Sequence, residues 1–340
     1  MARSELPFRI EGRRIWIAGH RGMVGSALMR RLAREDCEIV TVDRDRLDLR
    51  RQAEVGAWMH EVKPDVVILA AARVGGIHAN ASRPADFLDD NLALQTNIIH
   101  AAAEIGVDKL LFLGSSCIYP RLAPQPISES SLLTGPLEPT NQWYAIAKIA
   151  GLMQCQAYRE QHDCDFISAM PTNLYGPGDN FDLESAHVLP AFLRRFRAAA
   201  LAGDSKVTIW GTGTPRREFL HVDDCADALV FLLRHYSDAS TINVGVGRDV
   251  TIAELASVVA GVVGFTGQIG FDPSRPDGTP RKLLDVSRLT ALGWRAHTGL
   301  REGIASTYQW LERELARGRA PRGLTMEQVE PRRGDEMVSG

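Results

Sequence analysis

Short apolar runs alternate along the first half of the chain with longer segments in which apolar residues recur at helical spacing. Short runs rich in Val, Ile and Leu are typical of strands buried on both faces of a parallel sheet. Strands that alternate with helices over more than a hundred residues predict an α/β fold with a Rossmann-type, doubly wound parallel sheet. The predicted strands are residues 14–18, 38–42, 66–70, 109–114 and 166–170, and the helices between them include 26–34, 91–105 and 144–160.

The pattern changes after about residue 175, where a polar loop leads into a basic helix at 191–200. Further along, Thr251 and Glu254 have the spacing of a capping box that opens a helix at 255–263, and a last amphipathic helix is predicted at 300–316. A chain of 340 residues exceeds the roughly 250–300 that usually share one core, so we expect a second, smaller α/β lobe that binds substrate. The predicted division is a dinucleotide-binding domain at 10–174 with returning segments at 219–245, a substrate lobe at 175–218 and 246–316, and a disordered tail at 317–340.

The composition is ordinary for a globular protein, with 45% hydrophobic and 24% charged residues. A net charge of −3 argues against a nucleic-acid or membrane-surface partner, because either needs a broad basic field. No apolar run approaches the ~20 residues of a membrane helix and residues 1–11 lack a signal-peptide core, so we expect a cytoplasmic protein. The five cysteines form no Cys-x-x-Cys pair and the nine histidines show no ligand spacing, which predicts reduced thiols and no metal site.

Three glycines, Gly19, Gly22 and Gly25, follow the first predicted strand and precede a predicted helix. A strand, a glycine turn and a helix start form a phosphate-binding geometry, because backbone amides approach a pyrophosphate at the positive end of the helix. The spacing is Gly-x-x-Gly-x-x-Gly and not the usual Gly-x-Gly-x-x-Gly. A glycine turn that binds no ligand therefore stays open as an alternative.

Asp43 ends the second predicted strand eighteen residues after Gly25. This distance is close to the ~20 at which an acidic residue meets the adenosine ribose in NAD-binding units, so it favours a dinucleotide. Arg44 and Arg21 could instead pair with a 2′-phosphate, which an aspartate would repel. These residues therefore leave the choice between NAD and NADP open, and Asp43 keeps NADH possible.

Tyr144 and Lys148 are four residues apart in a predicted helix and therefore share one face. A free tyrosine has a pKa of ~10, and we expect the nearby cation to lower the pKa of Tyr144 towards the useful range. Ser115 and Ser116 directly follow the fourth strand, at the sheet edge where ligands bind. The alternative is a packed tyrosine, a solvated lysine and serines that cap loose backbone groups.

Six motifs together resemble the GDP-L-fucose synthase family of extended short-chain dehydrogenases, over residues from about 14 to 312 in both lobes. Members of this family epimerise GDP-4-keto-6-deoxy-D-mannose at C3 and C5 and reduce C4 with NADPH. The resemblance implies a GDP-sugar substrate and a homodimer formed through the helices near 91–105 and 144–160. The motifs are residues 19–25, 115–119, 144–148, 171–176, 216–223 and 276–285.

The resemblance also implies roles for individual residues. Ser115, Tyr144 and Lys148 match the reductase triad, and Cys117 and His187 match the base and the acid of epimerisation. We expect nearby positive charge to lower the pKa of the thiol. The positions that match the family's substrate contacts are Arg195, Trp210, Arg217 and Asp277. The expected cofactor contacts are Gly19, His20, Arg21, Gly22, Met23, Val24, Gly25, Asp43, Arg44, Leu113, Gly114, Ser115, Ser116, Lys148, Pro171, Thr172, Asn173, Leu174 and His187.

Other functions stay open on the sequence alone. A 4,6-dehydratase typically carries an Asp-Glu pair beside its catalytic hydroxyl, where this chain has Cys117 and Ile118. A 4-epimerase leaves Cys117 and His187 without a role, and a cofactor-sensing scaffold would not require an intact triad.

Individual site residues also have structural alternatives. Cys117 could be a small buried residue of the core, His187 an exposed loop residue, and Trp210 part of the core. At least one arginine of the basic helix, among Arg194, Arg195 and Arg197, could belong to a solvated helix face.

Overall fold

The computed structural model describes residues 7–275 and 277–325. Residues 1–6, Pro276 and residues 326–340 lie outside the described residues, and with them the first residue of the sixth motif and most of the tail predicted to be disordered. The strands are β1 (Arg14–Ala18), β2 (Glu38–Val40), β3 (Val66–Leu69), β4 (Lys109–Leu113), β5 (Phe166–Pro171), β6 (Asn173–Tyr175), β7 (Lys206–Trp210), β8 (Arg216–Arg217), β9 (Phe219–His221), β10 (Ile242–Val244), β11 (Val250–Thr251), β12 (Gln268–Asp272) and β13 (Arg281–Lys282).

Ten helices accompany these strands in the described part of the chain. They are α1 (Met23–Leu32), α2 (Gln52–Val62), α3 (Ile77–Ser82), α4 (Pro84–Glu104), α5 (Gln142–His162), α6 (Val188–Ala202), α7 (Val222–His235), α8 (Ile252–Val263), α9 (Ser287–Ala291) and α10 (Leu300–Ala316). None of the helices in residues 7–275 and 277–325 combines the length and the apolar character that crossing a membrane requires.

The central sheet has six parallel strands in the order β10-β5-β4-β3-β1-β2. The chain moves outward in one direction from β1 to β2 and in the other from β3 to β10, so the order reverses beside β1. Ligands of open α/β sheets bind at such a switch point, beyond the carboxyl ends of the strands. The predicted Rossmann-type doubly wound sheet is therefore confirmed.

Two apolar cores cover the two faces of the sheet. One packs α1 and α7 against the sheet around Leu28 and Leu229, and the other packs α2, α4 and α5 around Met59 and Phe112. Gly151 allows α5 to lie close to β4, because a Cβ at this position would come within 2.5 Å of the Phe112 ring. This close approach brings the first turns of α5 to the carboxyl end of β4.

A third core holds the second lobe together around Phe196, Leu255 and Leu311 of α6, α8 and α10. The lobe also contains the parallel pair of β7 and β12 and a small sheet of β11, β8 and β13. Thr251 and Glu254 form the capping box that the sequence predicts for the start of α8, with each side chain bonded to the other residue's backbone N–H. The predicted last helix coincides with α10.

The division into lobes differs from the expected one between β13 and α10. Leu284 packs in the core beneath α5, while Leu289 and Trp294 pack in the core beside α7. This segment, assigned to the substrate lobe from the sequence, thus returns to the first lobe. Its partners are distant in the sequence, so no local pattern could assign it. The sequence also gave no signal for β12, whose pairing with β7 depends on the fold of the second lobe.

Residues 317–325 differ from the predicted disordered tail. The backbone N–H of Phe181 donates to the carbonyl oxygen of Arg322 (2.9 Å), and Arg194 Nη1 donates to the carbonyl oxygen of Gly323 (3.2 Å). Pro321 is buried, and Leu324 packs against the core of the second lobe. A polar, glycine-containing composition suggests disorder locally, but these partners come from distant parts of the chain and hold the segment in place.

Candidate active site

The turn between β1 and α1 leaves no space for side chains at its glycines. A Cβ on Gly25 would overlap the carbonyl oxygen of Gly19, and Gly19 itself has φ +93° with Ala71 Cα 2.8 Å from its Cβ position. The helix α1 starts after Gly22 with no side-chain cap and no acidic residue in its first turn. Its first N–H groups and the positive end of its dipole can therefore bind an anion. This cradle fits a dinucleotide diphosphate.

A cavity of about 570 Å³ lies over this turn and continues between the ends of β2 and β3. Its lining includes four expected cofactor contacts, Gly19, His20, Arg21 and Gly22, together with Arg44 and the backbone after β3. Another cavity, of about 640 Å³, lies at the opposite edge of the sheet between the ends of α4 and α5. It contains none of the predicted site residues, so it is not part of this site.

Asp43 contacts two residues of the glycine turn and forms an ion pair with one of them, Arg21. Its carboxylate lies 2.5 Å from Arg21 Nη2 and 3.1 Å from His20 Nε2. Arg21 therefore compensates the charge of Asp43, a role that the sequence did not suggest. Arg44 lines the cavity and, within residues 7–275 and 277–325, makes no ion pair. Of the two arginines proposed for a 2′-phosphate, Arg44 is thus the one available in this structure.

Lys148 is buried, with 3% of its surface exposed, beneath the ring of Tyr144. Its Nζ donates to the carbonyl oxygen of Leu113 at 2.8 Å and lies 4.8 Å from the Phe112 ring centre and 5.9 Å from the Tyr144 ring centre. Burial lowers the pKa of Lys148 to about 8. Burial also raises the pKa of Tyr144, and the nearby Cys117 raises it further. The expected lowering of the phenol pKa is wrong for this structure, because loss of hydration dominates.

Ser115 follows β4 in an extended conformation and caps the 3-10 turn Ser116–Ile118. Its Oγ accepts a hydrogen bond from the backbone N–H of Cys117 (3.3 Å). The capping alternative is thus present, but accepting this bond leaves the hydroxyl proton free to donate elsewhere. Gly114 has no space for a side chain, because a Cβ would overlap the Met170 side chain. The backbone therefore passes close to β5 immediately before the catalytic candidates.

Cys117 is buried but belongs to none of the three apolar cores of the described chain. Burial raises the pKa of the thiol, and Lys282, Ser115 and Lys148 oppose that rise. The expected net lowering by positive charge is therefore wrong in direction, because loss of hydration outweighs the nearby cations. The Cys117 thiol affects the pKa of Lys148 and therefore lies near that ammonium. The thiol also affects the pKa of Tyr144 and therefore lies near the phenol.

His187 precedes the first turn of α6, and the residue is partly exposed to solvent. The pKa of His187 is lowered, first by the loss of hydration among densely packed neighbours and then by the charges of Lys282 and Arg322. Lys282 therefore acts on both His187 and Cys117. The two residues expected to exchange protons with the substrate face one common cation.

Lys282 was not among the residues predicted for the site. It lies on β13 directly beside Arg217 of β8, in parallel register. Burial lowers the pKa of Lys282, with Cys117 and Glu138 opposing and Arg217 contributing to the decrease. Lys282 lies within the sixth motif, residues 276–285, so the motif could have indicated this residue. The sequence alone did not show that Lys282 lies near Cys117 and His187.

Glu218 is a second residue that the sequence did not assign. Its fully buried carboxylate accepts hydrogen bonds from the backbone N–H groups of Val246 (2.6 Å), Gly247 (2.7 Å) and Leu284 (3.0 Å). Its carbonyl oxygen accepts from Asn173 Nδ2 at 2.8 Å. Burial raises the pKa of Glu218 and the backbone hydrogen bonds oppose the rise. Glu218 thereby joins the end of β10 and the chain after β13 to the predicted nicotinamide side.

That nicotinamide side is the predicted contact set Pro171, Thr172, Asn173 and Leu174. Pro171 lies beside Val244 in the central sheet, and the N–H of Thr172 donates to the Val244 carbonyl oxygen (3.0 Å). Asn173 and Leu174 belong to β6, which pairs with β9 and not with the central sheet. The four residues therefore cross from the carboxyl end of β5 towards the second lobe, at the edge where Tyr144 and Ser115 lie.

The predicted substrate residues Arg195 and Trp210 lie on α6 and β7 of the second lobe. Arg195 Nη2 donates to the carbonyl oxygen of Thr208 (2.5 Å), and burial lowers the pKa of Arg195. Trp210 is 66% exposed, and the guanidinium of Arg275 lies 5.1 Å from its ring centre. The core alternative for Trp210 is therefore wrong, and its ring face is available to a planar cation or base.

Arg217 and Asp277 lie near each other beside β8. Burial lowers the pKa of Arg217, and the charge of Asp277 opposes the decrease. Asp277 accepts hydrogen bonds from the N–H (2.9 Å) and the Oγ1 (2.7 Å) of Thr212, which fixes the loop after Trp210. The two predicted substrate residues thus belong to one cluster with Lys282.

The other two arginines of α6 have structural partners. Arg194 donates to the carbonyl oxygens of Phe181 (3.0 Å) and Gly323, and Arg197 pairs with Glu312 of α10. Neither is a free solvated cation, so the solvated-face alternative does not apply to them. In the part of the chain that the structure describes, no three His, Cys, Asp or Glu side chains come together as a metal site.

Comparisons with known proteins show what the chain is similar to in sequence and in fold. Residues 15–245 match the model of the NAD dependent epimerase/dehydratase family. The chain is 58% identical over 302 residues to the GDP-L-fucose synthase of Sinorhizobium fredii, covering 89% of this chain and 96% of the relative. It is 60% identical to GDP-L-fucose synthase 1 of Arabidopsis thaliana, with 87% and 92% covered. Its fold matches an NADP-bound GDP-L-fucose synthetase of Naegleria fowleri at a TM-score of 0.84 and 28% identity, with 92% and 98% covered.

Proposed function

The chain belongs to the NAD dependent epimerase/dehydratase family, among the GDP-L-fucose synthases, and from that premise we propose that it converts GDP-4-keto-6-deoxy-D-mannose into GDP-L-fucose. It is an oxidoreductase that also epimerises: the sugar changes configuration at C3 and C5, and C4 is reduced. The observation that carries this proposal is the shared position of Cys117 and His187 around Lys282, beside Tyr144.

NADPH is the proposed cofactor, and it supplies the hydride that C4 receives. The glycine cradle before α1 suits its diphosphate, and Arg44, which makes no ion pair with the residues that the structure describes, offers a cation for a 2′-phosphate. The pairing of Asp43 with Arg21 supports this choice, because it offsets the charge that would repel such a phosphate. Comparison of turnover with NADPH and NADH tests it. A preference for NADH in the native enzyme, with NADPH improved by Asp43→Ala, would reverse the assignment.

Epimerisation begins with the 4-keto group, which acidifies the hydrogens on C3 and C5. Cys117 removes a proton as a thiolate, and His187 returns one from the opposite face. The raised thiol pKa makes the thiolate a stronger base, and the lowered imidazolium pKa makes His187 a stronger acid. The charge of Lys282 favours the thiolate in the buried site, and the hydroxyls of Ser115 and Tyr144 donate to the enolate oxygen.

Reduction then requires a proton donor at the same oxygen. The raised pKa of Tyr144 keeps the phenol protonated at neutral pH, as an acid must be. When Tyr144 gives up its proton, the ammonium of Lys148 beneath the ring stabilises the phenolate. Ser115 can donate its hydroxyl proton to the substrate oxygen, because it is the acceptor in its bond with the Cys117 N–H.

The second lobe supplies the groups that hold the GDP portion. Lys282 and Arg217 are adjacent in register, and both lose hydration in the site, so a diphosphate that pairs with them restores favourable interactions. Trp210 presents an exposed ring face on which guanine can stack. Arg195 lies on the adjoining helix α6 and extends the same basic surface.

Incubation of the purified protein with GDP-4-keto-6-deoxy-D-mannose and NADPH tests the proposed function. We expect loss of absorbance at the reduced-nicotinamide band and, by NMR, a product with the fucose configuration. If neither NADPH nor NADH is oxidised, the proposed reductase activity is wrong. A product with the rhamnose or talose configuration would contradict the proposed epimerisation at both C3 and C5.

A homodimer through α5 completes the proposal. Three apolar residues of this helix, Trp143, Ile146 and Met153, are 39%, 39% and 37% exposed. Their spacing places them on one side of the helix. An apolar stripe on a helix that already packs on the sheet fits an interface with a second copy.

A further inference from the structure

A short segment near the end of the described chain closes one side of the cofactor cavity. Residues 321–324, the C-terminal strap, are joined to the loop 178–182 by the hydrogen bond from Phe181 N–H to the Arg322 carbonyl oxygen. Gly323 has φ +83°, and a Cβ at this position would overlap the backbone of Asp182 and the side chain of Asn180. The strap thus lies against this loop through contacts that larger residues would disrupt.

The loop 178–182 in turn lies over the first turn of α1. Gly178 has φ +87°, and its Cβ position is 3.6 Å from Met23 Cα and 3.4 Å from Ser26 Oγ. The helix start that can receive a diphosphate is therefore directly beneath the loop that holds the strap. Arg322 lines the same cavity as Gly19 and Gly22, although it is far from them in the sequence.

The cations of this cavity differ in whether they have partners. Arg21, Arg50 and Arg73 each form ion pairs with aspartates. Arg44 and Arg322 form none within residues 7–275 and 277–325. These two guanidinium groups therefore have charge to offer an anionic ligand.

One oxygen of a buried carboxyl group beside the strap has no hydrogen-bond partner among the described residues, while the other, Asp179 Oδ1, accepts from the N–H of Asn180 at 2.7 Å. Asp179 is 5% exposed, and among the described residues its Oδ2 has no hydrogen-bond partner. The charge of Arg322 acts on both Asp179 and His187. Burial raises the pKa of Asp179 to about 7, so below that pH the carboxyl carries a proton that Oδ2 can donate to an acceptor such as a phosphate oxygen.

We propose that Arg322 binds the diphosphate of the nicotinamide dinucleotide, so that the C-terminal strap closes the cofactor site over the first turn of α1. The diphosphate is favoured over a 2′-phosphate because the strap rests on the loop above α1, whereas the 2′-phosphate position lies near Arg44 at the end of β2. The inference rests on the proposed use of a nicotinamide dinucleotide and adds a residue from beyond the last helix to its site.

The test measures the binding of NADPH and of NADH, each in the absence of the sugar substrate. Nicotinamide fluorescence and calorimetry report the binding. For Arg322→Gln we expect the dissociation constants of both cofactors to rise by a similar factor of about ten, the effect of one charge-assisted hydrogen bond. Arg319→Gln is the matched control, because Arg319 lies two residues before the strap, pairs with Glu314 and does not line the cavity. It should bind both cofactors as the native protein does.

Three results would overturn the inference. Unchanged binding of both cofactors by Arg322→Gln would remove Arg322 from the site, and a loss confined to NADPH would move it to the 2′-phosphate. A lower melting temperature of the cofactor-free Arg322→Gln protein, with binding restored at low temperature, would reduce its role to stability. Failure of the native protein to bind either cofactor would instead contradict the proposed function, so the two failures are distinguishable. Arg322→Lys, which keeps the charge, should retain part of the affinity.

Discussion

The ammonium of Lys148 and the ring of Tyr144 lie one helical turn apart, with Nζ 5.9 Å from the ring centre. The same ammonium donates to the carbonyl oxygen of Leu113 at the end of β4, 2.8 Å away. Lys148 therefore fixes α5 to the sheet at the point where the substrate carbonyl is expected. Burial makes the cation easier to deprotonate and the phenol harder to deprotonate, so the pair holds an acid ready beside a cation.

The pKa of Lys148 predicts how reduction depends on pH. Because that pKa is lowered to about 8, the ammonium is charged below pH 8 and loses its proton as the pH rises through 8. We expect kcat/KM for reduction to fall above about pH 8 as stabilisation of the phenolate is lost. An arginine side chain stays charged at this pH, so the reductase activity of Lys148→Arg, even if lower than native, should persist to higher pH. A native profile that stays flat to pH 10 would contradict this prediction.

Replacement of Cys117 should separate epimerisation from cofactor binding. For Cys117→Ser we expect NADPH binding within twofold of native and a loss of solvent deuterium exchange into the sugar by about 100-fold or more, the usual contribution of an acid-base group. Cys37→Ser is the control, because Cys37 lies between α1 and β2, away from the site. Unchanged exchange in Cys117→Ser would place the base elsewhere.

Lys282 should govern the reactivity of the Cys117 thiol. Its charge opposes the rise in thiol pKa, so Lys282→Met should raise that pKa and shift the alkylation of Cys117 by iodoacetamide to higher pH. Measurement of alkylation rate against pH by mass spectrometry reports this shift without any turnover. The neighbour Arg281 pairs with Asp249 at the surface, so Arg281→Gln should leave the profile unchanged. Equal profiles for the native protein and Lys282→Met would show that this cation does not act on the thiol.

Glu218 should be a determinant of stability and of site geometry. Glu218→Ala leaves three backbone N–H groups without their acceptor, so we expect the free energy of unfolding to fall by about 3 kcal/mol. Glu218→Gln keeps one acceptor oxygen and should lose less stability, while KM for NADPH rises because the displaced backbone at this position weakens the bond that its carbonyl oxygen accepts from Asn173. Chemical denaturation and steady-state kinetics measure the two effects. Native stability in Glu218→Ala would exclude this role.

The proposed interface on α5 predicts a change in oligomeric state. Ile146 lies in the exposed apolar stripe, so Ile146→Glu should place a charge in the interface and shift the protein from dimer to monomer. Sedimentation equilibrium measures the mass of both proteins at matched concentration. A charge at Leu201, which is exposed on α6 of the other lobe, is the control and should leave the dimer intact. If the native protein sediments as a monomer, the proposed interface on α5 is wrong.

Local patterns in the sequence were sufficient for much of the fold. The buried strands, the glycine turn, the capping box at Thr251 and the limits of α10 follow from spacing and composition within one element. The spacing of Tyr144 and Lys148 likewise depends on one helix, so the sequence predicted their shared face correctly.

Contacts between distant elements were decided only by the tertiary structure. The sheet order and the loops beyond it bring Lys282 to Cys117 and His187, tie Glu218 to Leu284, and place Arg322 over the turn at Gly19. The tertiary structure alone also decided the directions in which the pKa values of Tyr144 and Cys117 shift. A sequence shows which charges lie nearby along one element, but the loss of hydration that dominates here depends on everything packed around the group.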